Sequence, residues 1–306
     1  MLRAGEVGQP NFISGCDLAA PPQPVIYQAA SLTKPVVAYL ALQLVLAGRL
    51  DLDAPVAQYL FQGTLHFRHP LKRGDQDAKD VVPAALLKRI RVGSLLNHTS
   101  GLPNWSAGSL SLQFEPESRW NYSGEGYVLL QAVLEAVTAQ PLGDLVRAQI
   151  FLPLGMQDSS LTRPRQADGR LAKGNTWFGL RHESSFAYPL AAASVYTTAP
   201  DYARFMSALL ADDRVLALTL AQPVDVDAKL GLQWGQGWGT QGGDAGSKLW
   251  QWGNNGGFRA FAAVEVGSGS GFVILTNHDR GMPLAAALAG SVLPGEPRAF
   301  EFSMVR

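Results

Sequence analysis

The sequence predicts an α/β (α+β) fold: a mainly antiparallel sheet drawn from both ends of the chain, flanked by helices, with a helical region set beside it. Three observations carry this. Strand-like stretches lie near both ends, at Val25 to Ala29 and from Leu230 onward. Between them apolar residues recur with the helical period, in segments separated by polar, glycine- or proline-marked loops. In the last third the period changes to that of strands, and "GSGSG" at 267–271 marks a hairpin. A chain of 306 residues can bury a sizeable core as one large domain or two modest ones. The expected division is a sheet domain from residues 1–60 and 186–306 and a mainly helical insertion at 61–185.

Taken in order, Val25 to Ala29 reads as a short strand, and a helix follows from about Ser31 to Ala47, ended by Gly48. Pro35 falls in the first turn, where a missing N–H costs little, so the helix must start close to Ser31. Val92 to His98, Tyr127 to Thr138 and Leu142 to Leu152 read as helices. Thr198, Ala199, Pro200 and Asp201 form a helix start of the capping-box type, opening an amphipathic helix through Phe205 and Leu209. Leu230 to Thr240, Lys248 to Gly253, Ala260 to Val266 and Gly271 to Asn277 read as strands, with a last helix at Met282 to Val292.

Composition limits the partners. Lysine plus arginine and aspartate plus glutamate stand at 25 each, so no net field draws the chain to nucleic acid or an anionic membrane. The expected partner is a small molecule, and the expected state a monomer. Cys16 is the lone cysteine, which excludes an internal disulfide framework and a thiolate metal cluster. The longest mostly apolar run, Val36 to Ala47, is too short to span a bilayer. The first twenty residues do not read as an export leader, so the chain as written is expected to be soluble, with its compartment open.

Ser31 and Lys34 stand i and i+3 at the mouth of the first helix, on one face about a turn apart. A serine hydroxyl is a poor nucleophile until a base takes its proton. A lysine can serve only if burial or nearby positive charge lowers its pKa from about 10.4. The same serine also suits an N-cap, and SxxK arises by chance on the order of once in a chain this long. Two further sites stand where regular elements begin or end: Tyr122 before a helix start in "RWNYSGEGYVLL", and Gln251, Trp252 and Gly253 at the end of a strand in "LWQWGNNGGF".

With these three sites the sequence resembles the serine β-lactamase and penicillin-binding-protein superfamily, in the branch shared by class C β-lactamases, DD-peptidases and family VIII esterases. The motifs SxxK, Tyr-x-Asn or Tyr-Ser-x, and Lys-Thr-Gly or His-x-Gly look like "SLTK", "YSG" and "QWG" here. "LLNHTSGLPNW" at 95–105, "FLPLGMQDSSL" at 151–161 and "SVYTTAPDYARFM" at 194–206 are similar to family segments in family order, so the resemblance covers residues 25 to 280. It implies a β-lactamase/transpeptidase-like fold and a serine hydrolase acylated on Ser31. Lys34 is then the base or its electrostatic support, in a coupled set with Tyr122, which relays the proton to the leaving group. It further implies an oxyanion hole from the backbone N–H groups of Ser31 and Asn254, a substrate-binding rim of Gly124, Gln251, Trp252 and Gly253, and no metal or cofactor. The implied substrates are small esters, amides or β-lactam-like compounds.

Two departures bear on substrate. Gly124 stands where many relatives have an asparagine that holds the substrate amide, and Gln251 where they have lysine or histidine. A neutral glutamine attracts no carboxylate, which tilts the expectation from peptides and β-lactams towards uncharged carboxylic esters. The alternatives are DD-peptidase or weak β-lactamase action, or a non-catalytic descendant that binds a ligand in the same cleft. A third departure is the short lead-in to Ser31: "NFISGCDL" is a poor strand, so one sheet edge is expected to be cut short. Trp105, Trp120 and Trp252 lie in or next to the motifs and either line an apolar pocket or pack the core. Gly237, Gly239 and Gly242 fit GxGxxG, but no helix follows, so they read as a glycine-rich strand end. No GxSxG elbow is present. His98 reads as a helix C-terminal residue bonding loop backbone, and His66 and His69 as surface histidines. Asn97, Asn104 and Asn121 fall in incidental glycosylation-type triplets.

Overall fold

The computed structural model describes residues 2–3, 6–8, 11, 23–68, 70, 79–182, 185–242, 246–293 and 298–306, without the side chains of residues 3, 166, 168 and 182. Cys16, His69 and the "NFISGCDL" segment apart from Asn11 lie outside the described residues. In chain order the elements begin with β1 (Leu2–Arg3), β2 (Glu6–Val7), β3 (Tyr27–Ala30) and α1 (Thr33–Leu46). Next come β4 (Leu65–Phe67), β5 (Lys79–Val81), α2 (Ala84–Arg89), α3 (Val92–Leu96), α4 (Gly124–Thr138) and α5 (Leu142–Val146). The last helix continues as a π turn, Arg147–Phe151. Then follow β6 (Gly174–Asn175), β7 (Arg181–His182), β8 (Val195–Thr197), α6 (Ala199–Ala211) and α7 (Asp213–Leu220). Strands β9 (Val224–Asp227), β10 (Leu232–Trp234), β11 (Gly239–Gln241), β12 (Lys248–Asn255), β13 (Phe258–Glu265) and β14 (Gly271–Thr276) precede α8 (Met282–Val292).

An eight-stranded sheet runs in the order β2-β1-β14-β13-β12-β11-β10-β9. Every neighbouring pair is antiparallel. Its period-2 alternation sorts the side chains of β12 and β13 onto two cores. Leu249, Ala260, Ala262 and Val264 face the layer that contains α1. Trp250, Trp252, Phe261 and Ala263 face α8 and the segment around Phe302. Helix α1 is buried from Thr33 to Leu42, so it is a core helix rather than an amphipathic surface one.

Three expectations change. The stretch Leu230 to Thr240 is two strands, β10 and β11, because Gly237 turns the chain at φ +95°. There a Cβ would lie 2.2 Å from that of Ala38, and on Gly239 it would lie 2.4 Å from Trp250, so these two glycines of the GxGxxG pattern serve close packing, while Gly242 faces open space. The sheet edge that "NFISGCDL" left short is extended by β1 and β2, strands too brief for a periodic signal. Strand β3 does not join the main sheet. It pairs with β8, and its end lies against β12.

That crossing positions the first motif. A Cβ on Gly253 would stand 2.3 Å from the Ala29 carbonyl oxygen, so only glycine lets the last turn of β3 rest on β12. Gly253→Ala is expected to push the two strands apart and cost about 2–4 kcal/mol, read as a lower urea midpoint. A midpoint within the error of wild type would show that the crossing tolerates a side chain.

Candidate active site

Ser31 sits in the two-residue turn between β3 and α1. The helix N-cap is Leu32, with no side-chain cap, so Ser31 is half-buried and its hydroxyl is not engaged in capping. The turn is tight enough to hold Ala30 at φ +50°, a left-handed conformation that a residue with a Cβ adopts at a cost of about 1–2 kcal/mol. Thr33 holds it there: its Oγ1 donates to the Ala30 carbonyl at 2.6 Å and accepts from the Val195 N–H at 2.9 Å. Sequence reasoning missed Thr33, whose role depends on a strand 162 residues away.

Lys34 lies one helical turn on and is 1% exposed. Its Nζ donates to Ser31 Oγ at 3.1 Å and to the Ala192 carbonyl at 2.7 Å. It also stands 4.7 Å from the ring centre of Tyr122 and 5.5 Å from that of Tyr127. Burial among neutral partners penalises the ammonium and lowers its pKa from 10.5 to about 7. The Ala192 carbonyl is itself fixed. Gln131 Oε1 accepts from the Ala191 N–H at 3.0 Å, and Ser194 Oγ accepts from the Leu190 N–H at 2.8 Å.

Tyr122 reaches the site from the residue preceding the N-cap of α4. Ser123 is that cap, accepting from the Gly126 N–H at 2.8 Å. The phenol is buried and hydrogen-bonded to Ser31, and it accepts from Gln251 Nε2 at 3.2 Å. Burial raises its pKa well above the usual 10, against the opposing effect of those two hydrogen bonds. The phenol is therefore neutral wherever the amine begins to lose its proton. Beneath it the His98 ring packs tilted at 39°, 4.4 Å between ring centres, and His98 Nδ1 accepts from the Ser123 N–H at 3.1 Å. Burial, reinforced by the charge of Lys34, lowers the His98 pKa well below 6.5 and keeps the imidazole neutral. His98 thus bonds loop backbone as expected, and in addition it supports the phenol.

The third motif is placed less simply. Gln251 is fully buried; its Nε2 donates to Tyr122 Oη and, at 2.9 Å, to the Trp252 carbonyl. It therefore reaches Tyr122 rather than the cleft surface, and its Oε1 has no partner among the described residues. Trp252 is 4% exposed and packs between Tyr122, to which it is tilted, and Trp250, on which it stacks, so packing dominates its environment. Trp120 joins the same aromatic cluster against Trp234 and Phe302. Gly253 is buried under Ala29, and Asn254 is exposed at the strand end. Gly124 is buried under Trp105. Asn255, which the sequence did not single out, ties β12 to β3 by donating to Gln28 Oε1 at 3.0 Å. His66 is a correction: it is 2% exposed, and its Nε2 lies 3.2 Å from Glu125 Oε1. Its partner is 59 positions away and invisible to local spacing. Among the described residues no group of three or more His, Cys, Asp or Glu side chains is placed to hold a metal ion, and no helix is long and apolar enough to cross a membrane.

A cavity of about 480 Å³ is lined by Trp252, Asn254, Trp177, Arg280, Met282 and Met304 among others; Ser31, Lys34 and Tyr122 are not among its lining residues. A second, of about 420 Å³, lies between α4 and residues 185–190, around Val128, Glu135 and Phe186.

The Beta-lactamase family profile matches residues 25–294, which include Ser31, Lys34, Tyr122 and Gln251. The chain belongs to the beta-lactamase family. Within it, the chain is 30% identical over 270 residues to esterase EstB of Burkholderia gladioli, covering 70% of this chain and 65% of that protein. Penicillin-binding protein 4 of Amycolatopsis lactamdurans is 27% identical over 295 residues, covering 82% of this chain and 72% of that one. Several curated relatives are thus longer than the region they share with this chain. The structure of a class C beta-lactamase superposes with a TM-score of 0.71 at 17% identity, over 87% of this chain and 80% of that one, which shows the shared fold.

The buried amine sets an expectation for stability. A lysine held at about 7 rather than 10.5 destabilises the folded state by on the order of 5 kcal/mol at and below pH 7. Lys34→Met removes that cost but leaves the Ala192 carbonyl without its donor, so the net gain at pH 7 is expected to be about 1–3 kcal/mol. Between pH 7 and 10.5 the unfolded wild type binds more protons than the folded one, so wild-type stability rises and the gain shrinks. Chemical denaturation at pH 7 and pH 10 checks both the sign and the trend.

Proposed function

We propose that the chain is a serine hydrolase that forms an acyl-enzyme on Ser31 and releases it to water, with uncharged carboxylic esters as substrates. One observation carries the reading. An amine whose ionisation falls near neutrality lies 3.1 Å from the oxygen of a half-buried serine that no cap engages. The match to an esterase supports the hydrolytic class. The buried, neutral Gln251 supports uncharged substrates, because no cation stands at that point of the strand to hold a carboxylate.

In this mechanism neutral Lys34 takes the Ser31 proton as Oγ bonds to the ester carbonyl carbon. The charge that develops on the carbonyl oxygen is held by the N–H groups of Ser31 and Asn254. The carbon–alkoxide bond then breaks, and the proton passes from the Lys34 ammonium through the Tyr122 phenol to the departing alcohol. Water repeats the sequence in reverse and frees the acid. Tyr122 acts as a neutral relay, since its raised pKa excludes a resting phenolate. Gln251 holds the phenol by its amide, and His98 supports it from below.

Two measurements test the reading. Purified wild type is expected to hydrolyse 4-nitrophenyl acetate and to be labelled by a fluorophosphonate on Ser31, whereas Ser31→Ala does neither. Equal inertness of the two proteins would refute it. The rate should also rise with pH along a single limb of apparent pKa about 7, as Lys34 loses its proton, and then level. A flat profile from pH 5 to 9 would remove Lys34 from the role of base.

A further inference from the structure

We infer that Trp105 is a specificity-determining residue: a fixed aromatic wall beside Tyr122 that limits the size of the substrate group lodged there. The inference rests on the hydrolase reading above and adds to it the feature that selects among esters.

The indole lies directly over the start of α4. A Cβ built on Gly124 would meet Trp105 Cη2 at 2.7 Å and Cζ2 at 2.8 Å, so the ring fills the space that any side chain at 124 would take. Gly124 is two residues beyond Tyr122, whose phenol is hydrogen-bonded to Ser31. The indole therefore covers the first residue of the helix that Tyr122 and its N-cap Ser123 lead into, and it is an aromatic ring rather than a polar side chain. It is 36% exposed, unlike the buried tryptophans 234, 238, 250 and 252. Core packing accounts for those four. It leaves the exposed part of Trp105 unexplained.

The wall is also rigid. Residues on both sides of Trp105 are pinned to the helix start. Ser123 Oγ donates to the Pro103 carbonyl at 2.8 Å, and the Gly124 N–H donates to Asn104 Oδ1 at 3.0 Å. The Glu125 N–H donates to the Asn104 carbonyl at 3.0 Å, and the Ser106 N–H donates to Glu125 Oε1 at 2.9 Å. Glu125 is itself buried against His66, so its carboxylate cannot swing away without leaving both partners. A side chain so held discriminates by shape, because it cannot yield to a larger group. In an apolar pocket each methylene admitted or refused changes kcat/KM by about 10- to 200-fold.

The group against Trp105 can come from the acid or the alcohol half of the ester, and the test separates the two. Wild type, Trp105→Phe and Trp105→Ala are compared on 4-nitrophenyl acetate, butyrate and octanoate, which vary the acid. They are also compared on phenyl and 1-naphthyl acetate, which vary the alcohol. Trp105→Ala is expected to raise the large-to-small kcat/KM ratio by about 10-fold or more in one series, with Trp105→Phe nearer wild type. The acetate reference stays measurable, because Ser31, Lys34 and Tyr122 are untouched. Should the alanine variant unfold by circular dichroism, Trp105→Leu carries the comparison. Ratios within about twofold of wild type in both series, in a variant still active on acetate, overturn the inference and leave the hydrolase reading standing. A wild type inert to every ester and unlabelled on Ser31 overturns the hydrolase reading itself, and this inference with it.

Discussion

The arrangement depends on one buried amine. Lys34 is enclosed without any counterion among its contacts, which are a serine hydroxyl, a backbone carbonyl and two aromatic faces. Such a site is costly for an ammonium and tolerable for a neutral amine, so the fold itself sets the protonation balance at about pH 7. A carboxylate in place of the Ala192 carbonyl would hold the lysine charged. The carbonyl, a dipole rather than a full charge, binds the amine while leaving its proton exchangeable. In the proposed mechanism, stability is given up at the point where basicity is needed.

The surrounding structure acts to keep that amine, the hydroxyl and the phenol together. Strand β3 delivers Ser31 by lying on β12, which requires Gly253, and the strained turn at Ala30 is held by Thr33. The segment 190–194 delivers the Ala192 carbonyl, and Gln131 on α4 holds that segment. The same helix positions Tyr122 just before its N-cap, so α4 orients two sides of the site at once. His98 occupies the space beneath the phenol as a neutral imidazole and adds no charge to the Lys34 environment. Rigidity therefore comes from backbone carbonyls, caps and close packing, and no ion pair bridges the three central side chains.

Much of this was legible in the residues. The helix carrying Lys34, the helix start just after Tyr122, the capping of α6 by Thr198 and the helix at Met282–Val292 all follow from local chemistry, and the structure has them. What escaped were the features made by distance. Strands β1 and β2 are two residues each, below the length at which alternation carries a signal. β10 and β11 merged into one predicted strand because their short turn, Gly235 to Trp238, lies within an aromatic-rich run. His66 read as a surface residue because Glu125, its partner, belongs to another element.

By itself the sequence determined which chemistry is available: a serine and a lysine one helical turn apart, a tyrosine before a second helix, and a strand triplet ending in glycine. Those follow from side-chain identity and from the 3.6-residue period, both local properties. Only the tertiary structure decided that the amine is buried without a charge partner, that Gln251 turns inward to Tyr122, and that an indole covers Gly124. The reason is physical: desolvation, and the exclusion of one side chain by another, are set by which atoms from distant segments share the same space, and no spacing along a chain records that.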